Sequence, residues 1–232
     1  MRSSWSYPAR TGLLLALSLL MFGCASGGST GSDQSRASGD TNRDRAATKT
    51  RRAAKIEPDG DYGFTLSEVV RIGSDVRRDY QQGVALLESG QLEAGVRVLE
   101  SVVARAPEVT NPFIDLGVAY GRLERYEEAE ASLNTALSLS PNHPAALNEL
   151  GILQRRTGQF AAARASYERA LAIHPGFHFA LLNLGVLCDM YLQDLSCAHQ
   201  NYSRYVEIVP DDPDVSIWIA DVESRLSRTG QE

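Results

Sequence analysis

Three cysteines are the residues best suited to chemistry in this chain of 232 residues. A thiolate can take an acyl group, pair with a second cysteine or ligate a metal. Cys24 closes an apolar run near the amino end, while Cys188 and Cys197 lie close together late in the chain. His174 and His178 are near them, but Pro175 and Gly176 intervene, so the two imidazoles share no helical face. Cys188 and Cys197 therefore lack a third and fourth ligand, and no metal site is expected. No Gly-x-Ser-x-Gly, phosphate loop, His-Glu-x-x-His or Cys-x-x-Cys occurs. The acidic run Glu127, Glu128 and Glu130 reads as a solvated helix face. These residues point away from an enzyme, and no cofactor is expected.

Arg2 and Arg10 precede the apolar run from Gly12 to Phe22. A helix needs about 20 apolar residues to span a bilayer, so this run reads as a secretory signal over 1–23. It ends Met21-Phe22-Gly23-Cys24-Ala25-Ser26, which resembles the lipobox of bacterial lipoproteins. There a small residue precedes a cysteine that is lipidated and becomes the mature amino terminus. Met21 and Phe22 stand where that motif usually has Leu and a small residue. The resemblance implies lipid (palmitate among the acyl groups) on Cys24. With Ala25 next rather than Asp, it also implies the outer membrane of a Gram-negative cell, facing the periplasm. Several acyl chains on one residue give durable anchoring, since each buried CH₂ contributes about 0.8 kcal/mol.

Residues 24–60 are rich in Gly, Ser, Thr, Asp, Arg and Ala, with Ile56 the one larger aliphatic. Such a stretch buries too little apolar surface to offset its ordering entropy and reads as a disordered tether of roughly 30–40 Å. From Arg36 to Lys55 it is basic, whereas from Asp61 onward there are 14 Arg, no Lys and 24 acidic residues. A folded part that acidic disfavours nucleic acid.

From Ser74 onward the chain repeats itself. Gly83, Gly117, Gly151 and Gly185 are evenly spaced, and Pro107, Pro141, Pro175 and Pro210 follow the same step with one extra residue at the end. Gly95, Ala129, Ala163 and Ala198, then Leu92, Tyr126, Phe160 and Leu195, then Leu99, Leu133, Tyr167 and Tyr202 keep the register. The extra residue falls between Gly185 and Leu195. A period of about 34 residues with Leu-Gly, Tyr, Ala and Pro at set places resembles the tetratricopeptide repeat. Leu116-Gly117, Tyr120, Tyr126, Ala129 and Pro141 carry the pattern in the second repeat. Asp79 and Gln82 depart from it in the first, standing where large apolar residues are usual.

The expected fold is therefore all-α: a solenoid of four helix-turn-helix repeats over 76–212 (76–109, 110–143, 144–177 and 178–212). Helices are expected at 76–89 and 92–105, 110–123 and 126–139, 144–157 and 160–173, and 178–192 and 195–208. The resemblance implies that Gly117 meets Ala129, and Gly151 meets Ala163, across each helix pair. Thr65 and Glu68 suggest a capping box, so a capping helix is expected within 61–75, carrying Leu66, Val69, Val70 and Ile72. A closing helix is expected over 213–228, with Val215, Trp218, Ile219, Val222 and Leu226 as its apolar stripe. In the family's geometry Cys188 ends one helix and Cys197 begins its antiparallel partner. The expectation is a disulfide in an oxidising compartment; two buried free thiols are the alternative.

By the same resemblance the first helix of each repeat lines a concave groove. The groove residues are Arg77, Tyr80, Val84 and Leu87, then Asn111, Ile114, Val118 and Arg122. Asn148, Ile152, Arg155 and Arg156, then Phe179, Leu182, Asn183, Val186 and Asp189, complete them. The pattern lacks the Lys set of family members that clamp a terminal carboxylate. It offers an apolar strip beside Arg122, Arg155 and Arg156 instead. The expected function is a protein-binding scaffold of the bacterial envelope, holding a partner helix or extended segment. It looks like the tetratricopeptide lipoproteins that pilot pilus secretins and those that scaffold peptidoglycan hydrolases and proteases. The alternative is a self-associating structural lipoprotein, a homodimer.

Overall fold

Prolines and left-handed residues set the helix ends. The structure, a computed structural model, describes residues 70 and 72–230, and the backbone of 55–59 and 63–67. Nine helices lie among these residues. The pairs are α1 (Ser74–Glu88) with α2 (Leu92–Arg105), α3 (Thr110–Arg122) with α4 (Tyr126–Leu139), and α5 (Pro144–Arg156) with α6 (Phe160–Ile173). Then come α7 (His178–Leu187) with α8 (Leu195–Ile208), and α9 (Pro213–Thr229). Each second helix stops two residues before a proline. Ala106, Ser140, His174 and Val209 carry φ between −121° and −139° with ψ near 66–91°. A proline pushes the residue before it out of the helical region. Within each pair the chain reverses through a left-handed residue: Gly90 (φ 79°), Glu124 (φ 61°), Gly158 (φ 79°) and Gln193 (φ 53°). They occupy one position in the four repeats and make a left-handed helix end.

α1 packs on α2, α3 on α4, α5 on α6, and α7 on α8, and each second helix packs on the next first helix. α1 also touches α3, α3 touches α5, and α5 touches α7. The first helices are thus gathered on the inner side of the array. Leu99, Leu133, Tyr167 and Tyr202 form the buried spine, none more than 1% exposed. They fix why the glycine column exists. A Cβ at Gly117 would lie 2.5 Å from Leu133 Cγ, and one at Gly151 would lie 2.5 Å from Tyr167 Cε1. The glycines therefore seat the large spine residue, and the small-residue column approaches them as well: a Cβ at Gly95 would lie 3.1 Å from the Gly83 carbonyl oxygen. Ala129 and Ala163 of that column are fully buried.

The ends of the array differ. At the carboxyl end Val215 and Val222 of α9 are buried, and Trp218, Ile219 and Leu226 pack beside them. Asp212 caps this helix, accepting from Asp214 N and Val215 N. At the amino end the expected capping helix within 61–75 does not form. β1 (Lys55–Asp59) and β2 (Gly63–Ser67) pair antiparallel instead, with Ile56 opposite Leu66 and Pro58 opposite Phe64. β1 also corrects the end of the expected tether. The alternation Phe64, Thr65, Leu66 has the two-residue period of a strand, and it prevails over the capping-box signal. The expected signal, Cys24 and residues up to 54 lie outside the described residues. Asp79 and Gln82, polar where Phe113, Leu116, Leu147 and Leu150 pack against a preceding repeat, sit on the outer face of α1. Arg105 pairs with Asp79 at 2.5 Å and with Asp75 at 3.2 Å.

The extra residue of the fourth repeat is absorbed by a π-helical turn, Cys188–Leu192, at the end of α7. Such a turn widens the helix by one residue. Asp194 N closes it on the Cys188 carbonyl at 2.9 Å. Cys188 and Cys197 are joined by a disulfide across the turn, with Cα atoms 5.8 Å apart. A loop this short contributes about 2–3 kcal/mol through chain entropy.

Candidate functional site

The repeat period brings equivalent residues of α1, α3, α5 and α7 side by side on the inner face, so the face is banded. One band is Val84, Val118, Ile152 and Val186, each partly exposed. β-Branched side chains at this position give a stiff apolar strip at low rotamer cost. A shallow concavity beside it is lined by Gly117, Val118, Gly121, Glu149, Ile152 and Arg156. Phe179 and Leu182 are partly exposed near the end of this strip, packed against the core.

The other expected groove residues are not all available. Tyr80, Ile114, Asn148 and Asn183 are less than a tenth exposed and are used between neighbouring helices. Leu87 belongs to the core. Asn183 Nδ2 donates to Asn148 Oδ1 at 3.0 Å, and Asn148 Nδ2 donates to Glu149 Oε1 at 3.1 Å. Tyr80 Oη donates to Asp115 Oδ2 at 2.7 Å. These bonds lash α1 to α3 and α5 to α7. The expectation that these four present a free surface is corrected: adjacent inner helices approach closely enough to cover them.

The arginines also divide. Arg122 is exposed and lies at the rim. Arg156 donates to the Gly121 carbonyl at 2.9 Å and sits over the Tyr126 ring at 5.5 Å. Arg155 sits over the Tyr191 ring at 5.7 Å. Asp189 is taken by Arg225 of α9 at 2.6 Å. Among the three arginines expected beside the strip, Arg122 and Arg156 are exposed and Arg155 is partly buried; Arg155 and Arg156 are nevertheless engaged with the scaffold. Arg77 and Asn111 lie partly exposed at the opposite end of the inner helices.

Sequence reasoning passed over two residues: Glu149, which lines the concavity, and Asp115, one turn before Val118 on α3. Both are partly buried. Burial pushes the Asp115 carboxyl up to about 6, against the lowering effect of the Tyr80 hydroxyl and with a further push from Glu88. Burial pushes Glu149 up to about 7, opposed by Asn148 and reinforced by the charge of Asp115. A signal for them exists in the sequence. Gln81, Asp115, Glu149 and Asn183 occupy one repeat position, polar in all four repeats, one residue after the column holding Ile114.

Cys188, Cys197 and Asp194 are the one group of potential metal ligands brought together among the described residues. Both sulfurs are committed to the disulfide, and Asp194 caps α8, accepting from Cys197 N at 3.0 Å. Asp194 also pairs with Arg164 at 3.1 Å. This cluster is structural.

Comparison with known proteins agrees with this architecture. Residues 114–176 match the tetratricopeptide repeat family. A search of proteins of curated function returns no match. Among solved structures, the chain is similar to PilF of Pseudomonas aeruginosa at 17% identity and a TM-score of 0.61, over 66% of this chain and 69% of that one. MamA of Desulfovibrio magneticus RS-1 is similar at 20% identity and a TM-score of 0.59, over 69% and 89%. TTC0263 of Thermus thermophilus, described as a thermophilic tetratricopeptide protein, is similar at 22% identity and a TM-score of 0.58, over 64% and 81%. At these identities the likeness is one of fold.

Proposed function

From a tetratricopeptide-repeat solenoid as premise, we propose that this chain is a docking scaffold of the bacterial cell envelope. It holds a helix or extended segment of another protein on the inner face of the array, and it is anchored through lipid on Cys24. The observation that carries the docking reading is the strip Val84, Val118, Ile152 and Val186. It is apolar in every repeat, yet it stays partly exposed while the spine Leu99, Leu133, Tyr167 and Tyr202 is buried. Aliphatic side chains kept at a concave surface offer area that only a partner can cover. The role is binding, without catalysis. The envelope setting rests on the run from Gly12 to Cys24 and its resemblance to a lipobox.

The test is a photo-crosslinking side chain at position 118 of the full-length protein, used in intact cells. A discrete crosslinked species is expected, with a second protein identified in it by mass. Val118→Asp with Ile152→Asp, in a chain whose helical signal is unchanged, should reduce capture of that partner at least tenfold, since each buried aliphatic contributes about 1.5–3 kcal/mol. Capture that persists in the double variant would refute the groove. A crosslink between two copies of this chain would favour the self-associating alternative.

A further inference from the structure

We infer that the segment docked in this groove presents a basic side chain, Lys or Arg, to Asp115 and Glu149, flanked by aliphatic residues that meet Val118 and Ile152. This rests on the docking reading above and names the partner's chemistry.

The inference starts from a missing cation. Three other partly buried carboxylates are ion-paired, Asp189 with Arg225, Asp79 with Arg105 and Asp194 with Arg164, and Asp212 is taken up by the α9 cap and the Tyr205 hydroxyl. Asp115 and Glu149 have no ion-pair partner among the described residues. What they have is one neutral donor each, the Tyr80 hydroxyl and the Asn148 amide. An ionised carboxylate accepts several hydrogen bonds, so each keeps free acceptor capacity. The guanidinium groups of the same inner face stand away from the two acids: Arg122 and Arg156, which line the other end of the concavity, come seven residues, about two helical turns, after Asp115 and Glu149. Arg156 is turned onto the Gly121 carbonyl and Tyr126, and Arg155 onto Tyr191.

Space and surroundings point the same way. The concavity at Glu149 is floored by Gly117 and Gly121, and a Cβ at Gly121 would meet nothing within 4 Å. A long side chain has room there, and its methylenes can lie on Val118 and Ile152 while its charged end reaches the carboxylates. A charge-assisted hydrogen bond to such a cation offsets the desolvation that burial imposes on both acids. A divalent metal is a poorer fit, because two carboxylates supply too few oxygens for a protein-built calcium site. The groove thus has an acidic end at Asp115 and Glu149 and a basic end at Arg122 and Arg156, and the acidic end reverses the charge of a terminal-carboxylate clamp.

Selection from a displayed library of random twelve-residue peptides on the purified full-length chain, at 0.15 M salt to limit long-range attraction, tests this. The expected result is a motif with Lys or Arg favoured about tenfold over Glu at one position, between aliphatic residues. Asp115→Asn with Glu149→Gln should bring that preference below about twofold while the aliphatic positions survive. These replacements keep shape and remove buried charge, so the fold is retained. Aliphatic enrichment without any basic preference, or an acidic one, overturns the inference and leaves the docking groove standing. Enrichment indifferent to Val118→Asp with Ile152→Asp, or no enrichment at all, overturns both.

Discussion

Asp115 and Glu149 make the inner face sensitive to pH in a direction that can be worked out. Both carboxyls are raised in the folded chain, to about 6 and about 7, chiefly by burial. A raised carboxyl favours the folded state when protonated. Its stabilising share is complete below the unfolded value near 4 and is lost as pH rises through 6 and 7. The expected outcome is that Asp115→Asn with Glu149→Gln equals the wild-type chain in stability near pH 4. At pH 8 it should exceed the wild type by about 1–3 kcal/mol, after allowance for solvent at partly exposed groups. Urea titrations at the two pH values check this, and a constant difference between them would remove the assigned shifts. The apolar half of the groove was legible in the sequence because Val118 and Ile152 recur with the period. The acidic half was not. An acid on a helix reads as solvated until the neighbouring helix that desolvates it is known, and it is the contacts of α3 with α1 and α5 that bury Asp115 and Glu149.

Helix boundaries were the most legible feature, since glycine and proline act on the chain locally. What sequence reasoning missed at this scale came from contacts made across elements. The capping-box pattern at Thr65 and Glu68 lost to the pairing of β1 with β2, and the one-residue insertion gave no hint that a π-helical turn would absorb it. The glycine column was read as a close approach, but the large spine side chain that fills it was not foreseen, because sequence spacing does not tell which side chain of the facing helix points in. The observed geometry distinguishes two glycines that look alike. At Gly151 an added methyl would crowd the buried Tyr167 ring, whereas at Gly121 it would meet nothing. Gly151→Ala should therefore cost about 1–3 kcal/mol through overpacking. Gly121→Ala, near the end of α3, should stabilise by about 0.5–1 kcal/mol through helix propensity. Thermal melts followed by circular dichroism should move in opposite directions for the two, and a shared direction would contradict the spine.

The array as a whole is a one-dimensional stack in which each repeat is covered only by its neighbours, so its stability is graded from end to end. The buried residues fall into two groups, one centred on α1 to α4 and one on α5 to α9, with Leu137 packed against both. α9 closes the second group by burying Val215 and Val222 and by setting Trp218 beside Tyr202 at 5.6 Å between ring centres. It also holds Asp189 at the end of the inner face through Arg225. Ending the chain after residue 212 would uncover that surface. With two valines fully buried and three larger side chains partly so, the loss is on the order of 5 kcal/mol. Because nearest-neighbour coupling decays along the stack, the damage should concentrate in the last repeat. Amide hydrogen exchange is the measurement that resolves it. Amides of α7 and α8 should exchange at least a hundredfold faster in the truncated chain, while those of α3 and α4 change little. The disulfide between Cys188 and Cys197 should keep the turn closed even so, leaving the outer ends of those two helices as the part that frays. Uniform loss of protection from α1 to α8 would mean that the stack unfolds as one unit, and that its two ends are coupled through the inner-face hydrogen bonds as well as through neighbouring repeats.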